Sequence, residues 1–159
     1  MTVTYRDVTA ADAVPLDAMA RAIWWETFAH GSSHEDATDY CNTAYGPTGT
    51  LIAHLTGGAA RFRVAVAEDG AIAGYAKINA PWLPDADPTA MQLSQLYVAS
   101  EWHGKGIAQV LMDWAIEEAR KADAPALLLT VWEENARAKR FYEKLGFVHI
   151  GDYAFPVGK

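Results

Sequence analysis

His103-Gly104-Lys105-Gly106-Ile107-Ala108 sets two glycines around a lysine, between the apolar run LSQLYV and the helix-periodic run QVLMDWAIEEA. The first turn of a helix carries N–H groups with no intrahelical partner. Together they present about half a positive charge. Glycines just ahead let the backbone curl until further N–H groups converge on one hollow. A pyrophosphate suits such a hollow, and Lys105 can add charge. The same residues also suit a bare strand-to-helix turn, and the stretch alone leaves both readings open. Spacing does exclude two nucleotide fingerprints. The P-loop pattern G-x-x-x-x-G-K-[ST] needs a hydroxyl residue after the lysine, where this chain has Gly106. The dinucleotide pattern needs a third glycine, where it has Gln109.

Positioning that loop is the task of the flanking elements. VTYRDVT alternates and predicts a first strand. Asp12 to Phe28 predicts a helix with Leu16, Met19, Ala20, Ile23 and Thr27 on one stripe. HGSS breaks the pattern. Ser33 with Asp36 resembles a capping box, and Ala37, Tyr40, Cys41, Ala44 and Tyr45 then recur at helical spacing. GPTG ends that helix, and a short helix follows over Thr50 to Leu55. RFRVAVAEDGAIAGYAKIN predicts a hairpin turning at Asp69-Gly70, and APWLPDADP a loop. Ala90 to Val98 predicts a strand. Ile107 to Ala122 predicts a helix whose Ala108, Leu111, Met112, Ala115 and Ala119 face one way. ALLLTVW is a continuous apolar run, which predicts a strand covered on both faces. Asn135 to Leu145 predicts a last helix, buried along Ala138, Phe141, Tyr142 and Leu145 and stopped by Gly146. FVHIGDYAFPV predicts closing strands. The order β-α-α-β-β-β-α-β-α-β implies one α/β (α+β) domain over 1–159, a mixed sheet flanked by helices.

The 159 residues are half hydrophobic and suit one sizeable core. No apolar run reaches the ~18 residues of a membrane span, and MTVTYRDVTAADAV shows no secretory pattern. One cysteine, Cys41, rules out an internal disulfide framework and a cysteine-rich zinc site. A cytoplasmic protein without metal or membrane partner is the expectation. The net charge of −7 argues against nucleic acid. The charge is also unevenly placed. From Arg21 to Arg61 no lysine or arginine intervenes, while Glu26, Glu35, Asp36 and Asp39 do. Between Asn135 and Lys144 stand Arg137, Lys139, Arg140 and Lys144 against Glu143 alone. An acidic end and a basic end suggest two ligands of opposite charge.

The run QLSQLYVASEWHGKGIAQVLMDWAIEEA, followed by VWEENARAKRFYEKLGF, resembles the GNAT-type N-acetyltransferase superfamily. In that family [QR]-x-x-G-x-[GA] grips the pyrophosphate of acetyl-CoA. Here it reads from His103 to Ala108, and His103 departs from the usual Gln or Arg. The second family motif, N-x-x-A-x-x-F/Y-Y-x-x-x-G-F, is matched by Asn135, Ala138, Phe141, Tyr142, Gly146 and Phe147. The resemblance implies a mostly antiparallel twisted sheet and a strand–loop–helix pyrophosphate site. It implies acetyl-CoA as co-substrate, held by His103, Gly104, Lys105, Gly106, Ile107, Ala108, Asn135, Tyr142 and Lys144. Backbone groups of Leu96, Tyr97 and Val98 would hold the pantetheine arm and the thioester carbonyl, where charge develops. Tyr142 would serve the departing thiolate as general acid. A tyrosine of pKa about 10 protonating a thiolate of about 8.5 runs uphill by roughly 2 kcal/mol. Tyr142 therefore either donates a hydrogen bond as the S–C bond breaks, or has its pKa lowered by Lys144 or Arg140. Packing against Phe147 is its structural alternative. A homodimer is a family-level expectation.

The resemblance places the acceptor beside the first two helices. The usual glutamate of the fourth strand is Gln92 here, which leaves Glu26, Glu133 or a water relay as the base. Trp24, Glu26, Thr27 and His30, with no cation nearby, suit an ammonium group through charge and cation–π contact. Alternatively, the tryptophans pack in the core and the acids are solvated. WWETFAH, AGYAKIN and SQLYV resemble the bacterial spermine/spermidine acetyltransferase subgroup. The expected reaction is acetyl transfer to a small cationic amine such as a polyamine. The alternatives are a protein, amino-acid or drug amine, and a non-catalytic acyl-CoA sensor.

Overall fold

The computed structural model describes residues 3–28, 34–46, 49, 51–53, 60–81, 88–129 and 136–148. Five strands form one sheet in the order β1-β2-β3-β4-β5. They are β1 Val3–Asp7, β2 Ala60–Ala67, β3 Ile72–Asn79, β4 Met91–Val98 and β5 Leu127–Leu129. The first four pair antiparallel, and β5 joins β4 in parallel. Helices α1 Ala13–Phe28 and α2 His34–Ala44 lie between β1 and β2. Helix α3, Ile107–Lys121, makes the crossover that the parallel β4–β5 pair requires, and α4, Ala136–Lys144, follows β5. The mixed sheet with flanking helices is thus the predicted one.

Each sheet face has its own core. Leu16, Ala20 and Trp24 of α1 and Ala37 and Cys41 of α2 bury Phe62, Val64 and Tyr75 on one face. Ile107, Leu111, Met112 and Ala115 of α3 bury Ala65, Ala76, Ile78 and Leu93 on the other, with Phe141, Tyr142 and Leu145 of α4 packed against them. Two register shifts reset the alternation. One falls where Ala65 pairs Gly74 but Val66 pairs Ile72. The other falls where Lys77 pairs Gln95 but Ile78 pairs Leu93, which makes Ser94 the extra residue. Leu93 and Leu96 then both serve the α3 face, and Gln95 and Tyr97 turn to the α1–α2 face.

Several expectations are corrected in detail. Helix α1 is preceded by a 3-10 turn at Ala10–Asp12, where the Arg6 guanidinium grips Asp12 through bonds of 2.8 and 2.9 Å. Its inward stripe runs through Leu16, Asp17, Ala20 and Trp24, leaving Met19 and Ile23 half-buried. Asp17 accepts the Gly46 N–H at 2.8 Å and so fastens α1 to the turn after α2. The leucines of β5 are half-buried rather than covered on both faces, and α4 presents a half-buried side with no fully buried residue. The hairpin turns as expected, with Gly70 at φ +87°. Leu51 to Ala53 are helical. The HGSS break, the Ser33 cap, most of the APWLPDADP loop and nearly all of the closing-strand segment lie outside the described residues.

Gly74 couples the sheet to the loop that the motif singled out. A Cβ there would sit 2.8 Å from the Tyr97 carbonyl oxygen, 3.2 Å from Ile107 and 3.3 Å from Val98. Only glycine lets the first residue of α3 settle this closely over β3 and β4.

Candidate active site

Between β4 and α3 the chain makes one 3-10 turn at Ser100–Trp102 and then the two glycine bends. Gly104 has φ +76° and Gly106 φ +81°, in the left-handed region that glycine enters without a Cβ penalty. A Cβ on either would meet nothing within 4 Å, so both glycines border open space. Gly106 is the N-cap of α3 and offers no side chain to its first turn. The unpaired N–H groups of that turn are therefore left for an outside acceptor. They open on a cleft of about 200 Å³. Its walls are Val98, Trp102, His103, the two glycines, Ile107, Ala108 and Gln109, closed by Arg137 and Phe141 of α4.

The structure thus brings together Val98, His103, Gly104, Gly106, Ile107 and Ala108 from the predicted cofactor set. Lys105 is exposed beside them, and Lys144 is exposed in the last turn of α4. The Leu96 side chain packs in the α3 core, as its backbone pairs with Ala76 of β3. In an antiparallel ladder alternate N–H groups point away from the partner strand. β4 can therefore offer backbone donors between Leu96 and Val98 on its β5 side. Asn135 and Glu133 lie outside the described residues.

Tyr142 stands on α4, one residue after the cleft-lining Phe141. Its ring meets Phe141 at 5.4 Å and Phe147 at 5.8 Å, both edge-to-face. The Phe147 contact crosses the helix end, where Gly146 takes φ +94° and the Phe147 N–H bonds the Tyr142 carbonyl at 3.1 Å. Burial pushes the Tyr142 hydroxyl up to about 12. The expectation that Lys144 or Arg140 lowers it is corrected: desolvation is the resolved cause.

The α1–α2 side divides the acceptor-site residues. Trp24 is core, 5 % exposed and stacked on Tyr40 at 4.5 Å, so it offers no open ring face to an ammonium group. Trp25 meets His34 edge-on at 5.4 Å, and Glu26 is exposed. The Thr27 side chain and His30 lie outside the described residues. Gln92 is fully buried.

Sequence reasoning missed a polar network beside the end of β4. The Tyr75 hydroxyl donates to Gln95 Oε1 at 2.7 Å, Gln95 Nε2 donates to the Tyr45 hydroxyl at 3.3 Å, and Tyr45 and Tyr97 share a hydrogen bond. Burial pushes all three tyrosines upward, so they stay protonated donors and acceptors. Tyr142 lies near enough that its ionised form would oppose ionisation of Tyr97. Tyr45 was legible at helical spacing and Tyr75 and Tyr97 within predicted strands, but the extra residue at Ser94 decides that Gln95 shares their face. Of the four basic residues of the last predicted helix, one or two of which the sequence reading allowed to reach CoA phosphates and otherwise left to solvent, Arg137 stands in the wall of the cleft.

Comparison with known proteins follows the same lines. The profile of the acetyltransferase (GNAT) family matches residues 18–147. A protein named as an uncharacterized N-acetyltransferase in the pepI 3′ region of Lactobacillus delbrueckii subsp. lactis is 26 % identical over 153 residues, 95 % of this chain and 87 % of the relative. Streptothricin acetyltransferase of Streptomyces lavendulae is 36 % identical over 89 residues, covering 55 % of this chain and 44 % of that protein. Among solved structures, PaiA N-acetyltransferase from Thermoplasma acidophilum in complex with coenzyme A superposes with a TM-score of 0.74 at 23 % identity, over 91 % of this chain and 89 % of that one. At that identity the superposition speaks for the fold.

Proposed function

The chain belongs to the GNAT acetyltransferase family, and from that premise we propose that it moves an acetyl group from acetyl-CoA to the primary amine of a small cationic molecule, a polyamine first among them. The observation that carries the cofactor half is the pair of left-handed glycines before an uncapped α3. They border open space, and the cleft of about 200 Å³ that they line is large enough to take a phosphate group. The residues fit the cofactor: backbone donors of the first turn of α3 would take the pyrophosphate, and Val98 and its neighbours in β4 the pantetheine arm.

Acetyl-CoA supplies an activated thioester. The amine nitrogen forms the new bond to the acetyl carbon, the C–S bond breaks, and the amine gives up its proton to water or a carboxylate. This chain's residues orient that exchange. Backbone N–H groups of β4 would take the carbonyl oxygen as charge develops on it. Tyr142 keeps its proton and presents its O–H to the leaving sulfur. Full transfer from a group at about 12 to a thiolate of about 8.5 would be uphill by roughly 5 kcal/mol, so the hydrogen bond carries the catalysis.

Support for a cationic acceptor is the charge pattern of α1 and α2. Glu26, Glu35 and Asp39 are exposed there. Arg21, the nearest cation in sequence, is occupied with Asn42 at 2.9 Å. With Trp24 in the core, this support rests on charge alone. The test is steady-state acetylation of spermidine, spermine, putrescine, a lysine peptide and an aminoglycoside, read as free thiol released. Turnover highest on the polyamines is expected. Preference for an uncharged-tailed amine would move the acceptor class. Tight CoA binding without turnover on any amine would leave the sensor reading, which the buried Gln92 in place of a carboxylate favours.

A further inference from the structure

His103 Nε2 lies 2.9 Å from the Val98 carbonyl oxygen. A carbonyl only accepts, so Nε2 carries the hydrogen. In the neutral ring Nδ1 is then an acceptor, and Arg137 Nη1 donates to it at 3.1 Å. One imidazole therefore ties the end of β4 to the first turn of α4. Arg137 does nothing for that helix, because a cation in the first turn opposes the helix dipole. Among the described residues it forms no ion pair. It lines the same cleft as Gly104 and Gly106. One of its five N–H donors is engaged with His103, and among the described residues the rest have no partner, which leaves them for an anion.

We propose that Arg137 is a pyrophosphate-binding residue of this cleft and that His103 is the positioning residue that presets its guanidinium. The inference rests on the acetyl-CoA reading above. A guanidinium already held by a neighbour loses less rotamer freedom when the phosphate arrives. His103 reaches the cofactor through Arg137, and its hydrogen bonds face Val98 and Arg137.

The test is calorimetric binding of CoA and of dephospho-CoA to the full chain, with thermal unfolding as a folding control. Arg137→Ala should weaken CoA binding about tenfold or more, as loss of a charged hydrogen bond does. His103→Leu should weaken it about three- to tenfold. His103→Gln, which keeps a donor and an acceptor at its tip, should recover most of that loss. In the Arg137→Ala background His103→Leu should add little, because its effect runs through the arginine. In turnover, KM for acetyl-CoA should rise while kcat changes by less than about twofold. Additive losses in the double variant would overturn the positioning role, and unchanged affinity in Arg137→Ala would overturn the whole inference. A loss seen with CoA but absent with dephospho-CoA would overturn the pyrophosphate assignment. Wild-type chain that binds neither ligand would instead sink the acetyl-CoA reading itself.

Discussion

In the proposed reaction Tyr142 would meet a departing thiolate from a ring that burial holds at about 12. A group so placed is a poor acid but a dependable hydrogen-bond donor, since it stays protonated wherever the enzyme works. Removing only the hydroxyl, as in Tyr142→Phe, should keep the edge-to-face contacts with Phe141 and Phe147. It should lower kcat about 100-fold, the usual size of one preorganised hydrogen-bond donor to developing charge, with CoA affinity within about twofold. Equal kcat in wild type and variant would remove Tyr142 from the reaction. The motif around Tyr142 was legible because its residues are close in sequence and their order is its signature. Trp24 was not. An aromatic on an amphipathic helix shows the same period whether it lines a pocket or fills a core, and only the stacking on Tyr40 decides between them.

Two elements are set by single residues outside the cleft. At Gly74 a methyl group would strike the Tyr97 carbonyl and crowd Ile107, the first residue of α3. Gly74→Ala should lower the unfolding free energy by about 1–3 kcal/mol and weaken CoA binding, because the loop before α3 must lift. A urea midpoint and CoA affinity both equal to wild type would show that the close approach constrains nothing. At the other end, Asp12 closes the turn into α1, accepting from Arg6 and from the Thr9 N–H and hydroxyl. The Arg6 hydrogen bond foremost lowers its carboxyl from 3.8 to about 2. A depressed carboxylate adds stability that is fully present above its unfolded pKa and is lost as pH falls through the folded one. Asp12→Asn should therefore cost roughly 2 kcal/mol at neutral pH. The difference should fade between 3.8 and about 2, and a gap that persists below that range would place the effect elsewhere. β1, the β2–β3 hairpin and α3 were legible from their periods of two and 3.6, and β5 from its unbroken apolar run. The extra residue at Ser94 was not, because a bulge carries no composition of its own, and with it went the facing of Gln95 and Tyr97.

Across the whole molecule the unequal charges found in sequence reappear as two sides of one sheet: acids on α1 and α2, cations on α4. One buried cation lies on the acidic side. Lys77 of β3 is 7 % exposed on the α1–α2 face, with its Nζ 6.0 Å from the centre of the Phe62 ring and no ion pair among the described residues. Burial lowers it from 10.5 to about 8. At neutral pH the folded chain thus holds a charge it would shed more readily than the unfolded chain does. The unfolded lysine keeps its proton up to 10.5 and the folded one up to about 8. In that window the unfolded state binds more protons, so this group's contribution to stability rises with pH. The tyrosines and Cys41, all raised by burial, act in the opposite direction once pH passes their unfolded values. The Lys77 contribution is therefore read as the difference from Lys77→Met, in which those groups cancel. The variant should be more stable than wild type by about 3 kcal/mol at pH 7, and its advantage should shrink steadily between about 8 and 10.5. Urea unfolding of the two proteins at matched pH measures this. A variant less stable than wild type at pH 7 would mean that the ammonium is compensated on this face, and the acceptor side would then have to be re-drawn around a fixed cation.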